Sequence, residues 1–180
     1  KSAKELATLS RQVRTGLNGG HNGSGTTSLI ALEMYRQATG IALQSISYKG
    51  GGPAAIALLG GEIDFMFATL STVKPHIEQG RLRALAVTTR KPSRIFPNLP
   101  TMDSMYPGFE ADNWFGLFVL TGVSKDIITR LHALSIEALR TPELRDVITR
   151  DGSEIVASTP EELGAHLRNE IARYAKVIKA

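Results

Sequence analysis

Apolar residues in the first half of the chain follow two different spacings. Some stretches place them on one face of a helix, and others are short apolar runs bounded by glycine, as in buried strands. Strands that alternate with short helices indicate βαβ units and a mostly parallel sheet. The predicted strands are 17–18, 41–48, 62–68 and 82–88, and the predicted helices are 3–15, Leu29 to its cap Gly40, 53–59 with Pro53 first, and 71–79, which Pro75 shortens or kinks.

The second half of the chain has a different pattern. Prolines between residues 89 and 108 exclude a long regular element there, apart from one helical turn at 101–105. Residues 112–120, which include Trp114, are predicted to form one more strand. The rest is predicted to be helical, because apolar stripes recur at helical spacing. The three helices begin after Ser124, Thr141 and Thr159, and the last of these has the sequence of a capping box.

Composition narrows the possible functions. The 180 residues include no cysteine, which excludes disulfides, thiol nucleophiles and thiolate metal sites. A net charge of +4 favours an anionic partner, but Lys and Arg are scattered and aromatics make up only 6%, so no nucleic-acid partner is expected. No apolar run approaches the length of a membrane span. Because the chain opens with Lys1 and not with Met, its start is expected to be a processed or truncated end.

Two glycine turns are the main candidates for a binding site. Residues 19–28 and 50–52 each follow a predicted strand and open a predicted helix. Glycine lets the backbone approach a ligand closely, and the first amides of a helix bind anions. Ligands of open α/β sheets bind at this edge of the sheet. With the hydroxyls of Ser24 and Thr26, the turns would bind a carboxylate; the alternative is that both turns only connect elements.

Templates for catalysis are not met. The first turn lacks the outer glycines of a nucleophile elbow around Ser24, the lysine of a P-loop and the third glycine of a dinucleotide fingerprint. His21 either lines a pocket or is an exposed loop residue, and the other histidines are expected on solvated helix faces without forming a metal site. Glu62 and Asp64 are expected on the polar side of a strand. We therefore predict no catalytic residue, no metal and no cofactor.

Several motifs together carry a resemblance to a known family. They include the Tyr48-Lys49-Gly50 turn, the strand Leu82–Thr88 and the sequence Trp114-Phe115-Gly116. Further matches are Asn18–Gly25, Glu33, Gly40, Leu58–Gly61, Met66-Phe67, Pro75–Ile77, Gly80, Pro97 and Pro100-Thr101. In order and spacing the chain resembles the Bug (TctC) receptors, the bacterial periplasmic solute-binding components of tripartite tricarboxylate transporters.

The resemblance implies a type II periplasmic binding protein with two α/β lobes, each a mostly parallel sheet flanked by helices. Residues 20–111 would form the second lobe, while 1–19 and 112–180, with the C-terminal helices, would belong to an incomplete first lobe. The implied ligand-binding residues are His21, Asn22, Gly23, Ser24, Gly25, Thr26, Tyr48, Gly50, Gly51, Gly52, Ala68 and Trp114.

Three positions depart from the family pattern. Members usually have a small polar residue at the place of His21, often an acidic one at Ala68 and frequently a histidine at Leu29. Members also have a signal peptide and a first stretch about as long as a lobe, neither of which is expected in this chain. Apolar stripes after residue 124 would then be uncovered, and we expect either self-association through this face or trimming from a longer chain.

The expected function is capture of a small carboxylated solute outside the cytoplasm, in the periplasm, for the membrane subunits of a tripartite tricarboxylate transporter. The solute classes are amino acids, di- and tricarboxylates and aromatic acids. One alternative is a ligand-sensing module that acts on a membrane sensor kinase. Others are an α/β enzyme that uses His21 as its base and a chain that binds nothing.

Overall fold

The computed structural model describes residues 2–150 and 152–179. These residues form two compact units that divide between Asn113 and Trp114. The elements of the first unit are α1 (Ala3–Ser10), β1 (Leu17–His21), α2 (Thr27–Thr39), β2 (Leu43–Ser47), α3 (Gly51–Gly60), β3 (Phe65–Met66), α4 (Leu70–Glu78) and α5 (Met102–Met105). Those of the second are α6 (Lys125–Arg140), α7 (Pro142–Thr149) and α8 (Pro160–Ile178).

A parallel sheet of order β2-β1-β3 organises the first unit. Its central strand β1 is longer than predicted and takes in Gly19 and Gly20 of the glycine turn, which are in close contact with neighbouring side chains. A Cβ on Gly19 would lie 2.6 Å from Leu32 Cδ1, and one on Gly20 would lie 2.3 Å from Ile63 Cδ1. These glycines therefore allow neighbouring side chains to pack directly on the central strand.

The core of this unit lies around Tyr35 on α2. Its ring makes edge contacts with Phe65, Phe67 and Tyr106, and its hydroxyl donates a 2.6 Å hydrogen bond to the carbonyl of Ala3, which ties α1 to the core. Burial raises the pKa of Tyr35 well above its usual range. The buried face of α2 includes Leu32, which is fully buried, whereas Ala38 is exposed.

Several predicted boundaries hold. Gly40 and Gly61 end α2 and α3 in the left-handed conformation with φ of +64° and +76°. The single helical turn of α5 and the capping box of Thr159 and Glu162 are confirmed. α4 continues through Pro75 to Glu78, close to its predicted end.

Three predicted elements are wrong. Residues 82–88 form no strand and contribute only a bridge between Val87 and Thr101, because Pro97 and Pro100 have no amide hydrogen to extend a ladder. Residues 112–120 also form no strand, since no ladder partner exists among the described residues and their apolar side chains are mostly exposed. α1 ends at Ser10, whose hydroxyl bonds to the carbonyl of Ala7, and irregular turns continue to Gly16.

The first compact unit ends at Asn113, two residues beyond the predicted boundary at 111. Residues 2–19 pack with residues 20–113, through α1 and β1. The assignment of 1–19 and 112–180 to a shared first lobe stays a prediction. Within the described residues, no helix combines the length and apolar character needed to cross a bilayer.

Candidate functional site

The carboxyl ends of the three parallel strands meet at one edge of the sheet. Each strand is followed by a short turn and then by a helix: residues 22–26 lead to α2, 48–50 to α3 and 67–69 to α4. We call these the first, second and third turns, and the place where they meet the strand-end edge. Because β1 is central and the next two strands lie on either side of it, this edge is a topological switch point, where ligands of open α/β sheets bind.

Direct contacts hold the three turns together. The amide of Gly50 donates to the carbonyl of Asn22 at 3.2 Å, and the amide of Tyr48 donates to the carbonyl of His21 at 2.9 Å. Gly51 is close to the first turn and to the first turn of helix α4, because a Cβ built on it would lie 3.6 Å from Asn22 Nδ2 and 3.2 Å from Thr72 Oγ1. The beginnings of α2, α3 and α4 therefore share one small region.

Backbone amides at this edge are free to bind a ligand. Within the described residues, the amides of 24–28 make no hydrogen bond, and neither do those of Gly51, Gly52, Leu70 and Ser71. These are the first amides of three helices, which have no partner inside the helix. The edge thus presents several N–H donors and the positive ends of three helix dipoles.

The edge helices also lack acidic residues in their first turns. None of α2, α3 and α4 has an acidic residue in its first turn, and none has a side-chain cap. Each of the other five helices in the described part carries at least one acidic residue there. An acidic side chain in the first turn would complement the dipole, so the first turns of the three edge helices bring no negative charge to the site.

The first turn is held in shape by side chains that sequence analysis assigned to the ligand. His21 is only 5% exposed, so its interpretation as an exposed loop residue is wrong. Its Nδ1 lies 3.2 Å from both the amide nitrogen and the carbonyl oxygen of Gly23. Thr26 Oγ1 donates to the Gly23 carbonyl at 2.7 Å and lies 3.0 Å from Ser28 Oγ, which accepts from the amide of Asn22 at 2.9 Å.

The other predicted site residues divide into two groups. Ser24 and Gly25 lie exposed at the tip of the first turn, and Tyr48, Gly50, Gly51 and Gly52 form the second turn and the start of α3, while Ala68 lies in the third turn. Trp114 belongs to the other compact unit, where its Nε1 donates to Glu170 Oε2 at 3.4 Å and its ring lies 4.9 Å from that of His166. Ligand contact by these residues stays a prediction.

Sequence analysis missed three hydroxyl residues. Ser28 orders the first turn, and Thr69 and Thr72 are hydrogen-bonded to each other at 2.9 Å in and after the third turn. The signal was the predicted strand at 62–68 followed by a predicted helix at 71–79, which is the same strand-turn-helix pattern as the other two. Thr69 and Thr72 were not predicted because the third turn contains no glycine.

The other titratable residues with a predicted role are the remaining three histidines and the pair Glu62 and Asp64. His166 is exposed as predicted, but His76 and His132 are half-buried, and His132 Nε2 lies 3.2 Å from the carbonyl of Ser158. Glu62 and Asp64 are exposed but precede β3, at the opposite end from the strand-end edge, where Asp64 accepts from the amide of Asn18 at 2.7 Å. No cluster of metal-ligating side chains exists among the described residues.

Comparison with known proteins places this geometry in a family. The model of the tripartite tricarboxylate transporter family receptor, TctC, matches residues 1–180. The chain belongs to the TctC family. This confirms the resemblance inferred from the motifs. The family and its structural neighbours are periplasmic binding proteins and not enzymes.

Curated relatives of this TctC chain differ in length. A protein encoded in the clcB-clcD intergenic region of Pseudomonas knackmussii is 34% identical over 87% of this chain and 94% of its own. BugT of Bordetella pertussis is also 34% identical, over 88% of this chain but only 49% of its own. The chain therefore spans about half the length of BugT.

Solved structures support the α/β fold. A Rhodopseudomonas palustris protein, Rpa4515 with adipate, superposes with a TM-score of 0.89 at 30% identity and covers 99% of this chain and 60% of its own. The periplasmic binding protein BugD gives 0.87 at 30% identity, with 98% and 60% coverage. MatC of R. palustris with bound malate gives 0.85 at 26% identity, with 99% and 62% coverage.

Proposed function

We propose that this TctC chain is the ligand-binding part of a periplasmic receptor that captures a small carboxylate at the strand-end edge. The observation that carries the proposal is that three helix N-termini meet there with free amides and without an acidic residue in any first turn. A carboxylate would accept from these amides and complement the three dipoles. Structural neighbours with adipate and malate support a carboxylate as the ligand.

The charges at the edge favour a polyanionic solute over an amino acid. The three turns and the helix starts that follow them contain no Asp or Glu, and Lys49 lies in the second turn. The ammonium group of an amino acid would therefore find no carboxylate partner on these turns and would face the positive ends of the helices. We infer that di- or tricarboxylates bind more tightly than amino acids.

One buried acceptor at the edge points to a hydroxyl on the ligand. Asn22 Oδ1 is buried and has no hydrogen-bond partner among the described residues. Leaving such an atom without a partner costs about 1–3 kcal/mol. If the first turn shifts on binding and exposes this atom, a hydroxyl group of the solute would donate to it, so a hydroxy-dicarboxylate is expected to bind better than its unsubstituted analogue.

Titration calorimetry at neutral pH tests the proposal. Malate, succinate, adipate, citrate, benzoate and glutamate would be titrated into the chain, with the methyl esters of the dicarboxylates as neutral controls. We expect di- or tricarboxylates to bind, malate more tightly than succinate, and the esters not at all. Equal binding of acids and esters, or no heat with any acid, would contradict carboxylate capture at this edge.

Delivery to a membrane partner is the second part of the proposal. Membership in TctC supports transfer of the solute to the membrane subunits of a tripartite tricarboxylate transporter, after secretion to the periplasm. The alternative is a receptor whose ligand-bound form acts on a sensor kinase. Affinity capture from bacterial membranes with and without malate, followed by mass spectrometry, separates them: recovery of kinase alone would contradict a transport role.

A further inference from the structure

We propose that His21 is a positioning residue, which holds the first turn so that the amides of 24–28 and not the amide of Gly23 face the ligand. The inference rests on the proposed carboxylate site. His21 is buried at the end of β1, and its backbone carbonyl is already bound by the amide of Tyr48. Its side chain is therefore fixed next to the turn at which the anion binds.

The hydrogen bonds around Gly23 assign the role of the imidazole. Nδ1 is 3.2 Å from the Gly23 amide nitrogen and 3.2 Å from its carbonyl oxygen, so it either accepts from the first or donates to the second. The carbonyl already accepts from Thr26 Oγ1 at 2.7 Å, whereas the amide has no other acceptor among the described residues. We infer that Nδ1 is the acceptor, which places the ring proton on Nε2.

This arrangement divides the donors of the first turn. Ser28 Oγ takes the amide of Asn22, and His21 Nδ1 takes that of Gly23. The next five amides remain free for the ligand. Gly23 itself has a φ of +119°, a conformation that the two hydrogen bonds to its amide and carbonyl help to fix.

Three variants at this position separate positioning from packing. In His21→Asn the amide oxygen stands near the place of Nδ1 and can accept from Gly23, whereas in His21→Gln the acceptor is one bond further out. His21→Leu fills similar space without an acceptor. We expect His21→Leu and His21→Gln to weaken malate binding by about five- to tenfold, and His21→Asn to stay within about threefold of the parent, as for loss and retention of one hydrogen bond.

Nuclear magnetic resonance of the ligand-free chain gives a readout that does not depend on binding. A long-range ¹H–¹⁵N spectrum should show Nδ1 unprotonated and Nε2 protonated at neutral pH, and the Gly23 amide should exchange faster in His21→Leu than in His21→Asn. Urea unfolding of all variants shows how much each is destabilised. A protonated Nδ1, or Gly23 exchange that is unchanged in His21→Leu, overturns the positioning role.

The two proposals fail in different ways. If the parent chain binds no carboxylate but Gly23 exchange responds to the variants, the proposed function fails while the hydrogen bond stands. If the parent binds malate and all three variants bind it equally well, carboxylate capture stands and the positioning role of His21 is wrong.

Discussion

The helices at the strand-end edge and those after residue 124 begin in opposite ways. α6, α7 and α8 carry Asp126, Glu143 and the pair Glu161 and Glu162 in their first turns, and α8 adds a complete capping box. The first turns of α2, α3 and α4 contain no acidic residue, and none of these helices has a side-chain cap. The C-terminal helices thus complement their own dipoles, whereas the edge helices leave theirs available for an external anion.

In the second unit, a carboxylate away from the helix beginnings also has partners within the protein. Glu170 of α8 is buried, accepts from Trp114 and forms an ion pair with Arg173, whose guanidinium lies over the ring of Tyr174. Burial of Tyr174, together with the hydrogen bond and charge of Glu170, raises the pKa of its phenol to about 12. Carboxylates therefore have partners inside this unit, whereas the proposed ligand of the edge would be the partner of the amides there.

The strongest way to break this contrast is to give α2 an acidic first turn. Thr27→Asp places a carboxylate at the first residue of the helix. Two negative charges about 4 Å apart repel by roughly 4 kcal/mol near a protein surface, so malate affinity should fall at least about 100-fold. The free energy of unfolding should stay equal or rise by about 0.3–1 kcal/mol, because the new charge complements the dipole.

Calorimetry measures the expected loss of malate affinity, and urea unfolding of the same sample measures the expected free energy of unfolding. Thr129→Asp, on the exposed part of α6, is the matched control, since it changes net charge equally and belongs to the other compact unit. If both variants lose affinity to the same extent, general charge and not the acid-free edge controls binding.

A smaller effect is expected from narrowing the edge. In Gly51→Ala the new Cβ would lie 3.2 Å from Thr72 Oγ1, whereas in Gly52→Ala nothing lies within 4 Å of it. We expect Gly51→Ala to weaken malate binding about tenfold, as for a loss of roughly 1.4 kcal/mol, because the Thr72 side chain must give way at the start of α4. Gly52→Ala should bind normally and unfold at slightly higher denaturant, since alanine favours the helix. Equal affinities of the two variants would place the ligand elsewhere.

The two hydroxyls first proposed as ligand contacts should differ from each other. Ser24 is exposed at the tip of the first turn, so Ser24→Ala should lower affinity about two- to fivefold without changing the free energy of unfolding. The Thr26 hydroxyl is engaged by Gly23 and Ser28, so Thr26→Val should reduce the free energy of unfolding by about 1 kcal/mol. Calorimetry with urea unfolding separates these outcomes, and loss of stability in Ser24→Ala would contradict the assignment.

The smallest predicted effect concerns pH and the second unit. An unfolded phenol ionises near pH 10, whereas that of Tyr174 ionises at about 12 in the folded chain. Between these values the folded state binds more protons, so the free energy of unfolding should decrease as pH rises. Buried Tyr35 has a raised pKa and acts in the same direction. Urea unfolding at several pH values should give a shallower decline for Tyr174→Phe; an unchanged slope would contradict the shift.

Sequence patterns predicted the order of elements in the first unit because glycine marks their ends. Gly40, Gly61 and the second turn stand at residues where the backbone needs a positive φ or a helix start. The strand at 82–88 was wrongly predicted because apolar alternation shows a preference for a sheet but not whether a partner strand is within reach. Val87 finds only Thr101, next to a proline.

The candidate site was predicted in its location but not in its internal bonding. Glycine-rich turns indicated free amides, whereas the burial of His21 depends on packing around β1, which a local pattern does not contain. The hydrogen bond from Thr26 to the Gly23 carbonyl could not be predicted either, because the sequence is the same whether the hydroxyl faces a ligand or a carbonyl. The sequence shows that these helices begin without acidic residues. Their common role as an anion site could be inferred only once the fold placed the three turns at one edge.

The segment from Phe115 to Leu120 affects how the chain must be handled. It lacks charge and proline, has no ladder partner among the described residues, and leaves Phe115 and Leu120 89% and 85% exposed. Uncharged segments rich in aromatic and β-branched residues assemble with copies of themselves as concentration rises. The fluorescence of a dye that binds apolar surface should increase when the dye is added to the native chain, before any heating. Light scattering against concentration, at fixed temperature, should therefore precede every affinity measurement made with this protein.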